Sequence, residues 1–76
     1  MSSIEVLRLS FEQVAGHLAN LEVVRLIVAE ITEKGWSIED IIQMLEDKMN
    51  DSEVTLRTDI RILVNEIRHM TRKSNG

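Results

Sequence analysis

The feature that most constrains this chain is the run LRTDIRILVNEIRHM, residues 56–70, in which Leu56, Ile60, Leu63, Ile67 and Met70 recur at steps of four and three. That spacing lines one side of an α-helix, whereas a strand would repeat every second residue. A stripe of this length needs apolar surface along all of it, about 1.5 Å per residue. The chain supplying that surface has only 76 residues. A domain of this size buries roughly 60% of the surface its unfolded chain exposes, so it folds with a thin margin. There is no cysteine to form a disulfide, and no cluster of metal ligands replaces one. The seam closes on its own chain or on a second copy.

The rest of the sequence reads as helix too. Proline is absent and the three glycines are Gly16, Gly35 and Gly76, which leaves long stretches without turn signals. The clearest break is EKGWSIED, residues 33–40. Gly35 suits a left-handed helix end, Ser37 can cap the next helix, and Glu39 and Asp40 fall where the helix dipole favours anions. A second break is MNDSE, residues 49–53, where three short polar side chains offer caps. These breaks predict helices over about 21–34, 38–49 and 53–72. The SFEQ stretch, residues 10–13, matches a capping box. It predicts either a separate first helix through Leu18 or one helix from Ser10 to Lys34. The chain is expected as a single domain in which residues 1–9 could begin that helix, add a separate turn or remain a loose end, and 73–76 could be a loose end as well.

The expected fold is therefore all-α: a small bundle of three or four helices with a long C-terminal helix, completed by homodimerisation. The dimer is expected because the 21–34 stretch is apolar on a wide face, through Val23, Leu26 and Ile27, and the last helix is striped throughout. Isologous packing of a helix face is the commonest outlet for such surplus.

Composition bounds the function. A hydrophobic share of 43% with 29% charged residues fits a folded protein with a polar surface. No window approaches a membrane span and the N-terminus lacks a secretory pattern, so a cytoplasmic setting is expected. The net charge of −4 opposes general attraction to nucleic acid, but residues 54–76 are locally basic, with five positive groups against two negative. Arg57, Arg61, Arg68 and Arg72 share a side of the last helix and could meet phosphate or an acidic partner. No aromatic residue interleaves with them to stack a base. Asp59 and Glu66 are expected to balance them in part.

Trp36 is the lone tryptophan, placed beside the Gly35 break as a core cap or a partner anchor. His17 and His69 belong to no metal or nucleophile motif. Glu39 with Asp40, and Glu46 with Asp47, are neighbours on a helix and splay by about 100°, too far to converge on one substrate. No phosphate cradle is present. The expectation is a non-enzyme with no cofactor, metal or small-molecule substrate.

Residues 21–49, LEVVRLIVAEITEKGWSIEDIIQMLEDKM, resemble the small enterobacterial two-component connector family that includes YcgZ, YmgA and AriR (YmgB-like). The likeness lies in Glu22, the apolar Leu26, Val28 and Ile31, the Gly35 break, then Ile41, Ile42 and Leu45 leading to Glu46; Leu56–Ile60, LRTDI, resembles the opening of that family's last helix. The resemblance implies a small helical homodimer that modulates two-component or phosphorelay signalling, biofilm formation and acid resistance through contacts with a kinase or regulator. It carries over no catalytic residue. The alternatives are a nucleic-acid-associated transcription modulator using the arginine row, and a phage-type inhibitor of a host protein.

Overall fold

A computed structural model describes residues 2–75, with side chains through Arg72. Four α-helices follow one another: α1 (Ser3–Val14), α2 (Leu21–Thr32), α3 (Ile38–Asn50) and α4 (Val54–Asn75), with a single 3-10 turn at Ala15–His17 after α1.

The N-terminal segment is more ordered than its sequence suggests. α1 begins at Ser2, whose Oγ accepts from the Glu5 amide at 3.2 Å. Ser2 and Glu5 thus stand at the capping-box positions, and the SFEQ stretch lies inside the helix. Of the readings open for residues 1–9, the helical one holds for 3–9, which form the start of α1. Ser10 faces the core and is buried with Val6, Leu7 and Val14. The single helix from Ser10 to Lys34 is excluded by the turn at 15–17 and the extended backbone of Leu18. The loose end expected at 73–76 falls where no side chain is described; the α4 backbone continues to Asn75.

The other breaks behave as their chemistry requires. Gly35 has φ +65°, a conformation costly for any residue with a Cβ. Ser37 caps α3, its Oγ accepting from the Asp40 amide at 3.3 Å. At the α3–α4 joint, the Asp51 amide donates to the Lys48 carbonyl and the Ser52 amide to that of Met49, both at 3.2 Å.

α4 is the central element, with α1 and α3 packed along it and α2 touching α1 and α4 more lightly. Ile60, Leu63 and Ile67 are 0% exposed, and Leu56 and Met70 pack partly buried against the same core. Around them lie Leu7 of α1, Val24 and Ile31 of α2, and Ile41 and Leu45 of α3. Burying each such side chain contributes roughly 1.5–3 kcal/mol. The seam therefore closes on its own chain, and the apolar surplus that pointed to a dimer through that row is absorbed internally. Two quantities agree. The accessible surface is 4828 Å², against about 4,700 Å² for a folded monomer of this mass. The radius of gyration is 11.3 Å, against about 11.4 Å for a closed domain of this length. What stays outside is local: Leu26 is 71% and Val23 44% exposed on α2, with Val54 and Leu9 exposed elsewhere.

Candidate protein-interaction surface

α3 organises the candidate surface because its two flanks differ in charge. Ile41 and Leu45 face inward, and the neighbouring carboxylates splay to opposite sides. Glu39 lines a groove with Ile38, Ile42, Arg68, Thr71 and Arg72. Asp40 lines another with Trp36, Gln43, Met44 and Asp47. Two turns later the division repeats, with Glu46 pairing with Arg68 at 3.0 Å while Asp47 Oδ1 accepts from Gln43 Nε2 at 3.1 Å. A helical turn of about 100° per residue compels this partition.

The Trp36 groove encloses about 280 Å³. Trp36 follows the left-handed Gly35, and its carbonyl accepts from Ser3 Oγ at 2.7 Å, tying the start of α1 to the α2–α3 corner. Of the two roles expected of it, the tryptophan fills that of core cap, packing partly buried against the core, and it lines this groove with Met44. Among the described residues, no cation stands within ion-pair distance of Asp40 or Asp47.

The arginine row does not act as a unit. Arg57 turns back toward the end of α3, donating through Nε to the Met49 carbonyl at 3.2 Å and through Nη2 to that of Ser52 at 3.1 Å. It adds a donor to the Met49 carbonyl, which also accepts from the Ser52 amide, and satisfies the Ser52 carbonyl just past the α3 end. Arg68 is engaged with Glu46, Arg61 is exposed, and Arg72 rims the groove beside Ile38 and Ile42, which encloses about 380 Å³.

Asp59 corrects the sequence expectation most clearly. It does not balance the row but is buried, at 2% exposure, accepting from the amides of Ala19 at 3.0 Å and Asn20 at 2.6 Å. The α2 N-terminus is thereby capped from α4, while Asn20 makes no cap bond with its own side chain. The signal was present: Asp59 stands three residues after Leu56 and four before Leu63, on the apolar side, where an unpaired charge is too costly. Ser10 carried the same spacing signal, three residues after Leu7 and four before Val14.

His17 and His69 are both exposed. Among the described residues no three His, Cys, Asp or Glu side chains gather as a metal site, and no helix is long and apolar enough to cross a membrane. No protein-family model matches the chain, and no curated protein or solved structure matches it.

Proposed function

We propose that this protein is a small, non-enzymatic cytoplasmic regulator that acts by binding another protein, in the manner of the connectors that residues 21–49 resemble. Its setting would then be two-component or phosphorelay signalling, with effects on biofilm formation and acid resistance. The observation that carries the reading is the Trp36 groove: a half-buried tryptophan and a methionine beside two carboxylates that no cation among the described residues neutralises. Tryptophan anchors are enriched among the residues that dominate binding energy, and methionine adapts its shape to a ligand side chain. The partner segment such a groove accepts carries an aliphatic or aromatic anchor flanked by lysine or arginine. Nucleic-acid binding is the weaker reading, because Arg57 is committed to backbone carbonyls and Arg68 to Glu46.

A photo-crosslinking residue in place of exposed Gln43 tests the proposal. Irradiation in the native host should yield a discrete protein adduct. The partner, once identified and purified, should bind the unmodified chain and lose at least tenfold in affinity with Trp36→Ala. No protein adduct, or an adduct whose partner binds Trp36→Ala equally well, would overturn the reading. So would duplex DNA binding that falls steeply as salt rises.

A further inference from the structure

The Trp36 groove is lined only by Trp36 and residues of α3, so no other helix bars an approach along it. Asp40 and Asp47 stand seven residues apart on that helix. Seven residues span about 10.5 Å of the axis and fall about 20° short of two full turns, so the two carboxylates lie on one line. Met44 sits between them on the same side, and Trp36 flanks the Asp40 end. Neither carboxylate has a cation within ion-pair distance among the described residues. Lys34 and Lys48 are the nearest basic residues along the chain, and neither lines the groove. Asp47 accepts one hydrogen bond, from Gln43, and a carboxylate has lone pairs for several more.

We propose that the Trp36 groove receives a basic amphipathic helix of the partner protein, with lysine or arginine at positions i and i+7 facing Asp40 and Asp47 and an apolar residue at i+3 or i+4 over Met44 and Trp36. This rests on the protein-binding reading and adds to it the conformation and register of the bound segment. Spacing selects a helix. Side chains on one side of an extended segment recur at about 6.7 and 13.4 Å, and neither interval matches the two carboxylates. A helix laid along α3 at a shallow crossing of about 20° brings its own side chains round at about 10.5 Å, in step with α3 and in either chain direction. The residue one turn in from each cation then faces Met44, whose unbranched side chain adapts to an aliphatic or aromatic neighbour. Charge selects the sign, since two unneutralised carboxylates repel an acidic helix and attract a basic one. Exposed ion pairs add little affinity, so Asp40 and Asp47 set register while Trp36 and Met44 supply the anchor contact.

Trp36 is the only tryptophan and there is no tyrosine, so the intrinsic fluorescence of the full chain reports on this groove. The probe is an alanine-based helical peptide of about 20 residues with lysine at i and i+7 and leucine at i+3 and i+4. One control moves the second lysine to i+5, on the far side of the helix; another places proline at i+5 and breaks the helix there. The i, i+7 peptide should shift Trp36 emission saturably and bind at least threefold tighter than either control. Replacing Asp40 and Asp47 together with asparagine should weaken it at least fivefold while leaving the thermal melt in place, and raised salt should weaken it as well. No saturable change up to about 1 mM peptide, equal binding of the three peptides, or binding that the double asparagine variant leaves unchanged would overturn the proposal. A partner captured at Gln43 that depends on Trp36 but binds through an extended segment would also overturn it while leaving the protein-binding reading in place. Failure of that reading shows differently, as the absence of any Trp36-dependent partner at Gln43.

Discussion

The carboxylate of Asp59 lies 2.6 Å from the amide nitrogen of Asn20, and through it α4 supplies the cap that the start of α2 lacks. A second bond, to the Ala19 amide, uses the other carboxylate oxygen. Helix α2 touches its neighbours lightly, so this charged link is a principal tether at its N-terminal end.

Asp59→Ala should therefore destabilise the fold by about 3 kcal/mol, since hydrogen bonds to a charged acceptor contribute about 1.5–3 kcal/mol each. Asp59→Asn should cost less, because one of its two side-chain positions becomes a donor facing a donor. Urea unfolding followed by circular dichroism measures both. A midpoint unchanged by Asp59→Ala would show that the cap contributes nothing.

Leu63→Glu and Ile67→Glu place a charge where exposure is 0%. The expected product is an unfolded chain, not a folded monomer released from a dimer. The cost of a buried unpaired charge exceeds what a domain of this size holds in reserve. Loss of helical signal at 25 °C checks this; a helical, cooperatively melting Leu63→Glu protein would contradict the assignment of the seam to the core.

Ser10 is fully buried and its Oγ has no hydrogen-bond partner. Ser10→Ala removes the unsatisfied hydroxyl and raises helix propensity, so it should stabilise by about 1 kcal/mol. For a chain this short that is a rise of about 4–8 °C in Tm.

Arg57 and Arg61 separate structural from solvated arginines. Arg57→Ala should cost about 1–2 kcal/mol by removing two hydrogen bonds and leaving the Ser52 carbonyl without its guanidinium donor. Arg61→Ala, at an exposed position, should stay within about 0.5 kcal/mol. Equal effects would mean that the α3–α4 joint does not depend on the guanidinium.

Gly35→Ala should cost about 1 kcal/mol through backbone conformation alone. A Cβ at Gly35 meets nothing within 4 Å, yet φ is +65°. A loss several times larger would point to a packing role that the open space there does not support.

The sequence by itself determined what depends on neighbours along the chain. Gly35, Ser37 and the polar run from Asn50 to Ser52 set the helix breaks because each acts on amides and carbonyls a few residues away. The period of Leu56, Ile60, Leu63 and Ile67 settled that the last third is a helix with one apolar side, and adjacency alone sent Glu39 and Asp40 to different flanks of α3. Ser2 could have been recognised by the same local rules, but SFEQ offered a competing capping box.

Only the tertiary structure decided which surface each side meets. An apolar stripe has the same pattern whether it faces its own chain or another, since burial is non-directional; here α1, α2 and α3 together fill it. Asp59 reaches Ala19 and Asn20 across about forty residues, and Arg57 leaves its row for carbonyls of the preceding helix. Those pairings depend on how the helices are set against α4, and no interval along the chain encodes that arrangement.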